Sequence, residues 1–411
     1  MQIYLDHSAT TPTRPEAIDL LQQVMTTYWG NPSSLHEWGQ RAATVLETAR
    51  MQVAGLIRAA DPESIVFTSG GTEANNLAIF GVAHQYTTPQ HLIISQVEHS
   101  AISQPASWLE SRGWQVTRLG VDRLGQVDPT ELERAIQPNT VLISIIYGQS
   151  EVGTLQPIEK LWAIAQRHGI PFHTDAVQVA GRYPLDVQKI PVDFLSLSSH
   201  KLYGPQGTGA LYIKEPKVIA SPLHNALLSN SSNPGLSLVP LLSGGGQEHQ
   251  LRSGTQAVPI IAGFGLAAEL AAEELPTEMH RLQGLRDRLF AQLADLPQLV
   301  TTGHLQERLP HHVSFVFLSD RLEITGKTLV RHLNLAGIGI SSGSACHSGK
   351  TIPSPILLAM GYTAQESLGG IRLTLGKQTT AADIDWTAIV LRQVIDRLSP
   401  KLVLSGSGAT K

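Results

Sequence analysis

From about residue 40 to residue 215, short β-rich runs alternate with stretches of helical period. The pattern predicts strands at Ser64–Thr68, Gln90–Ser95, Val141–Ile146, Ile170–Thr174, Phe194–Ser198 and Ala210–Ile213. Between them it predicts helices at Ala42–Ile57, Thr72–Gly81, Ile102–Arg112 and Ile158–Arg167. Alternation of this kind builds βαβ units around a mostly parallel sheet with helices on both faces. The segment Ser221–Ser243 mixes Ser, Asn, Pro and Leu without a period and reads as a long loop. After Thr255 the texture changes. Ala257–Leu275 is apolar and alanine-rich, as a buried helix would be, and Leu282, Leu285, Leu289, Leu293 and Leu296 then mark an amphipathic helix. Alternating and helical segments at 313–318, 327–336, 371–375 and 381–398 predict a smaller α+β domain. The expected division is a large domain over 15–256, a small one formed by 257–400 together with an N-terminal arm, 1–14, and a flexible tail over 401–411.

Composition narrows the class. A chain of 411 residues with 42% apolar content can bury a large core in two domains. A net charge of −4 leaves no electrostatic footprint for nucleic acid or an anionic membrane. No apolar run approaches the roughly 20 residues of a membrane span. The first residues lack the basic and apolar regions of an export signal, so a cytoplasmic location is expected. The single cysteine excludes an intrachain disulfide and any multi-cysteine metal site. The histidines show no metal-ligand spacing, and no zinc or iron site is assigned.

That cysteine, Cys346, sits in Ser341–Gly349, a run dominated by Ser, Gly and Ala. Such a segment suits a mobile surface loop carrying a reactive thiol, although free cysteine is elsewhere most often a small buried hydrophobe. Upstream, Val66–Asn75 takes a β-run through Ser-Gly-Gly into a helix, with Thr72 and Glu73 in its first turn. Exposed N–H groups and the helix dipole make that point an anion site, with phosphate the natural guest; an ordinary β–α turn is the alternative. The strand Ile170–Thr174 delivers Asp175 to its C-terminal end, where ligands gather in open α/β sheets. An aspartate there can pair with a cationic ring nitrogen or simply cap a helix. The run Asp193–Gly209 ends an apolar strand in Ser198-Ser199-His200-Lys201. A lysine following a buried strand is partly desolvated, which lowers its pKa and makes it nucleophilic. Taken together and in this order, the three elements describe a pyridoxal 5'-phosphate site: helix N-terminus for phosphate, acid for the ring nitrogen, lysine for the aldehyde.

The chain closely resembles the cysteine desulfurases of the NifS/IscS type, within the class V aminotransferases. Matching stretches include Tyr4–Pro12, Gly30–Ser33, Thr68–Glu73, Glu98-His99, Asp175–Gln178, Ser198–Pro205, Gly244–Glu248, Arg252–Thr255, Ser341–Cys346 and Ile371–Gly376. The resemblance implies PLP fold type I, the aspartate aminotransferase-like α/β architecture. It implies Lys201 as the Schiff-base lysine, Asp175 as partner of the ring nitrogen, His99 stacked on the ring and active in acid–base steps, and Gln178 on the ring hydroxyl. Gly71, Thr72, Ser198 and His200 would hold the phosphate. Thr255 would reach the phosphate of a neighbouring subunit, implying a homodimer. Arg372 would clamp the substrate carboxylate, and Cys346 would take the sulfur of L-cysteine as a persulfide, releasing alanine. The sulfur would pass to an acceptor or iron–sulfur scaffold protein, for iron–sulfur clusters or thio-modified cofactors.

The chain also departs from the family. Ser150 stands where an asparagine amide usually helps hold the substrate carboxylate and ring hydroxyl, and a lost hydrogen bond to a charged group costs about 1.5–3 kcal/mol. Ser199 replaces a usual glycine, His347 follows the cysteine where Ser or Thr is common, and 221–238 is longer than in typical members. Two other readings share the scaffold: a selenocysteine lyase or cysteine/cystine C–S lyase, which would not need Cys346, and a weakly active scaffold or sulfur-relay subunit.

Overall fold

The computed structural model describes residues 2–215, 217–218, 237–319, 324–343, 346–347 and 350–398. The central sheet has seven strands in the spatial order Ile65–Thr68, Gly209–Ile213, Phe194–Ser198, Phe172–Asp175, Thr140–Ser144, His91–Ser95 and Gln115–Leu119. All point the same way except Gly209–Ile213, which is antiparallel to both neighbours. Six of these strands are the predicted ones, shifted by up to two residues at their ends. Their recognisability has a physical cause: strands covered on both faces are almost wholly apolar. Gln115–Leu119 lies at the sheet edge, is mostly half-exposed and carries no such signal.

Because the sheet is nearly parallel, its strand ends converge. Thr68, Ser95, Ser144, Asp175 and Ser198 finish neighbouring strands on one side of the molecule. Each chain segment that leaves that edge carries one of the sequence motifs.

The smaller core surrounds an antiparallel sheet ordered Leu299–Thr301, His312–Phe317, Gly370–Thr374 and Ser341–Ser342. The predicted helices between 257 and 296 form one helix, Val258–Leu293, which continues through Pro276. Its first half packs Ile261, Phe264 and Ala268 into the large core, and its second half packs Leu282, Leu289 and Leu293 into the small one. Burial at both ends holds the helix across a proline that lacks its own N–H. The N-terminal arm joins the two cores as well. Ile3–Tyr4 pairs in parallel with Ile338–Gly339, while Thr11 and Arg14 donate backbone N–H bonds to the carbonyls of His200 and Tyr203.

Cys346 opens the strand Cys346–His347, paired antiparallel with Lys350–Thr351. This hairpin continues from Ser341–Ser342, which lies beside Arg372 and Ile371. The mobile-loop expectation falls partly on 344–345 and 348–349, outside the described residues, as do most of the long 221–238 segment and the 401–411 tail.

One buried ion pair fixes the edge strand that leads into the anion turn. Arg50, 3% exposed, grips both carboxylate oxygens of Glu248 at 2.8 and 2.9 Å and also donates to the carbonyl of Ile65. Glu248 in turn accepts the N–H of Phe67 at 2.8 Å. Glu248, His249 and Gln250 have φ of 49°, 57° and 66°, a left-handed run that persists only where its surroundings over-determine it. Arg50→Met is therefore expected to destabilise the fold by about 3–5 kcal/mol, because it strands a buried carboxylate. Urea unfolding reads this directly, and an unshifted midpoint would refute the role given to the pair.

Candidate active site

The converging strand ends enclose a cavity of about 350 Å³. Lys201 enters it from the short turn Ser199–Lys201 that follows the Phe194–Ser198 strand. Its Nζ donates to the backbone carbonyls of Ser8 and Ala9 at 2.7 and 2.6 Å. Burial, then the nearby guanidinium groups of Arg182 and Arg372, bring this amine down to about 8. Asp175 ends its strand in the same cavity. One carboxylate oxygen accepts the Asn75 amide at 2.7 Å and the other the N–H of Val177 at 3.0 Å. Asp175 caps the turn that follows its strand and also faces the cavity.

The helix Gly71–Ala83 points its first turn into the cavity, bringing Gly71 and Thr72, and Gly70 before it offers no side-chain cap. A Cβ on Gly71 would meet Val177 Cγ2 at 2.7 Å, so only glycine lets the helix terminus approach this closely. Ser198 and His200 line the same wall. His200 shares a hydrogen bond with Thr10 Oγ1 at 3.0 Å, and burial, with Lys201 and Arg182 beside it, lowers it to about 4, so the ring is neutral. His99 caps the helix Ser100–Glu110 by accepting the N–H of Ala101 on Nδ1, which places the proton of the neutral ring on Nε2.

The opposite wall carries Ser150, Gln178 and Arg372. Arg372 donates to the Ser150 carbonyl at 3.0 Å and pairs with Asp6 at 2.7 Å. Gln178 directs an amide N–H to the Ser8 carbonyl at 2.9 Å, leaving its second amide hydrogen for another acceptor. The structure therefore brings Lys201, Asp175, His99, Gly71, Thr72, Ser198, His200, Gln178, Ser150 and Arg372 into one cavity. Thr255 is not among them; it is exposed on the loop before the long helix. The backbone of Cys346 lies on the Cys346–His347 strand, which follows in sequence the strand beside Arg372.

Behind the cavity lie titratable groups whose charged forms burial disfavours. Glu98 is buried and pushed up to about 8 by desolvation, although Ser95 Oγ and the N–H of Ile146 donate to it at 2.5 and 2.9 Å. Burial likewise raises Glu151 to about 7. Burial and the neighbouring cation Arg182 hold His7 near 3 and His311 well below the ordinary histidine value.

Several contributors have no role in the sequence reading: the carbonyls of Ser8 and Ala9, Asp6, Asn75 and Arg182. Of these, only Asn75 left a trace in the sequence. It falls four residues after Gly71, on the same helix face, and is a polar residue among Ala74, Leu77 and Ala78.

The donor set fits pyridoxal phosphate. Hydroxyls, a neutral imidazole and uncapped helix N–H groups suit a phosphate, a carboxyl suits the ring nitrogen, and a desolvated amine suits the aldehyde. The buried Oδ1 of Asn75 has no partner, which leaves an acceptor beside Asp175 for a bound group to meet. Only an uncharged amine attacks a carbonyl carbon, and lowering the pH below its pKa removes that form. Uptake of pyridoxal phosphate by cofactor-free protein is thus expected to accelerate with pH around a midpoint of about 8, not the 10.5 of an ordinary lysine. Stopped-flow absorbance checks this, and a midpoint at the ordinary value would contradict the desolvated placement of Nζ.

Comparison with known proteins gives the same direction. Residues 3–386 match the family model described as Aminotransferase class-V. The protein named Cysteine desulfurase IscS from Dictyoglomus turgidum is 41% identical over 97% of this chain and 95% of its own length. Among solved structures, one described as a NifS-like protein matches with a TM-score of 0.84 and 32% identity, over 97% of this chain and 100% of that one. Another, SspA in complex with cysteine, matches with a TM-score of 0.75 and 34% identity, over 91% of this chain and 99% of that one.

Proposed function

We infer that this chain, which belongs to the class-V aminotransferase family and within it to the cysteine desulfurases, removes the sulfur of L-cysteine, releases L-alanine and carries the sulfur as a persulfide on Cys346. The observation that carries the reading is the meeting, in one cavity, of Lys201, Asp175, His99 and Arg372, with the Cys346 hairpin running on from the strand beside Arg372.

Bound pyridoxal phosphate supplies an electron-accepting ring joined to the substrate nitrogen. The chain's own groups do the rest. Gly71, Thr72, Ser198 and His200 hold the phosphate, and Asp175, itself held by Asn75, keeps the proton on the ring nitrogen. His99 covers the ring face, and its Nε2 hydrogen is free to serve the substrate sulfur. Gln178 and Ser150 would offer polar groups to the ring hydroxyl. Lys201 Nζ, which burial and the nearby guanidinium groups make easier to deprotonate than an ordinary lysine, takes the proton from the substrate Cα.

Arg372 binds the substrate carboxylate. It is already turned toward the cavity by Asp6 and the Ser150 carbonyl, and the guanidinium fork carries more N–H groups than those two contacts use. Because Ser150 contributes its carbonyl to Arg372, replacement of the family amide leaves this part of the clamp intact. In the sulfur step a Cys346 thiolate attacks the substrate sulfur. A sulfur–sulfur bond forms and the carbon–sulfur bond breaks; its electron pair stays with Cβ, which takes up a proton, and Cα regains the proton held by Lys201, giving alanine. The acceptor of the persulfide sulfur is a second protein, one serving iron–sulfur cluster or thio-cofactor synthesis. Thr255, exposed and distant from its own cavity, serves the phosphate of a second copy in a homodimer. Among the described residues no helix is long and apolar enough to cross a membrane.

The test is incubation of the purified holoprotein with L-cysteine, followed by alanine assay and peptide mass mapping. One added sulfur on Cys346 with matching alanine is expected. Cys346→Ala should still bind cysteine, seen as a change in visible absorbance, but retain no sulfur. Cofactor bound without alanine or added sulfur would overturn the reading, and full sulfide output from Cys346→Ala would remove Cys346 from it.

A further inference from the structure

Arg182 lies on the turn that follows Gln178 and is 6% exposed, yet no carboxylate pairs with it among the described residues. A buried cation without an acid is costly unless its N–H groups are met by other acceptors. Here they are. The guanidinium donates to Gln178 Oε1 at 3.4 Å, to His311 Nε2, to the His7 carbonyl at 2.7 Å and to the Lys201 carbonyl at 2.6 Å. These acceptors come from four separate parts of the chain: the Asp175–Gln178 turn, the small domain, the N-terminal arm and the lysine turn.

The arm shows what this arrangement does. Three consecutive carbonyls, those of His7, Ser8 and Ala9, receive cationic N–H groups: Arg182 on the first, Lys201 Nζ on the second and third. Arg182 therefore fixes both the main chain that carries Lys201 and the main chain on which its amine rests.

We propose that Arg182 is a positioning residue for Lys201, holding through one buried guanidinium the two backbone segments between which Nζ is suspended. The proposal rests on the reading of Lys201 as the reactive amine. Its second effect is electrostatic. Lys201 faces Arg182, Arg372 and His200 on one side of the charge balance and Asp6 and Asp175 on the other. Arg182 faces Lys201, Arg372, His7, His311, Tyr4 and Tyr203. The imidazoles around it are neutral, so its own charge, retained down from about 10, acts on Lys201 with little local compensation.

The experiment measures Lys201 directly, by competitive acetylation with acetic anhydride and peptide mass spectrometry across pH, on full-length protein freed of cofactor. The native midpoint is expected at about 8. Arg182→Gln removes the charge and should raise the midpoint by about one pH unit or more. Arg182→Lys keeps the charge but cannot bridge four acceptors, so the midpoint should stay while uptake of pyridoxal phosphate slows about tenfold. A lowered melting temperature in Arg182→Gln with an unmoved Lys201 midpoint would overturn the proposal and leave Arg182 a fold-stabilising residue only. If Arg182→Gln does not fold, Arg182→Lys decides: native midpoint with slowed uptake supports the proposal, and native uptake overturns it. Alanine formation is scored separately, so a shifted midpoint in a protein that makes no alanine would sink the desulfurase reading and keep Arg182 in place.

Discussion

An excess of buried positive charge organises this molecule around its cavity. Lys201, Arg182 and Arg372 approach one another with only the carboxyls of Asp6 and Asp175 facing Lys201 as counter-groups. The surrounding titratable groups do not offset the excess. Burial raises Glu98 to about 8 and Glu151 to about 7, while burial and the cations keep His7, His200 and His311 neutral. Carbonyl oxygens supply the missing stabilisation: those of His7, Ser8, Ala9, Ser150 and Lys201 each accept a cationic N–H. Dipoles satisfy the N–H groups without cancelling the charge. A dianionic phosphate and a substrate carboxylate are guests that such a cavity suits.

This constraint explains the chain path. Residues 3–14 reach both cores, and their carbonyls at 7–9 form the acceptor row on which two cations rest. The long helix Val258–Leu293, shared between the cores, keeps them in register behind the cavity. Arg372 belongs to the small sheet and Lys201 to the large one, so the site exists only where the two meet. The Cys346–His347 strand follows in sequence the strand beside Arg372.

What the sequence revealed follows the range of the interactions involved. Most central strands were legible because burial on both faces makes them rich in apolar residues, whereas the edge strand Gln115–Leu119 and the helix Pro15–Thr27, which is mostly exposed, left no comparable pattern. The helix Val258–Leu293 read as two segments, Ala257–Leu275 and the leucines from 282 to 296, because its burial changes core along its length; packing at both ends carries it through Pro276, which local rules disfavour inside a helix. The anion turn, Asp175 and Lys201 were legible because each is a local strand-end motif. The carbonyls of Ser8 and Ala9 were not, since main-chain acceptors have no side-chain signature. Arg182 in isolation looks like any surface arginine, and the Asp6–Arg372 pair joins residues 366 positions apart. Such contacts are products of the fold and cannot be read from spacing.

A cavity that buries more cations than carboxylates favours anionic guests. The most direct measurement is the thermal unfolding midpoint of full-length cofactor-free protein alone, with inorganic phosphate, and with pyridoxal phosphate. Preferential binding to the folded state must raise the midpoint by mass action. The account predicts a rise with phosphate alone and a larger one with pyridoxal phosphate. An unchanged midpoint in both would contradict it.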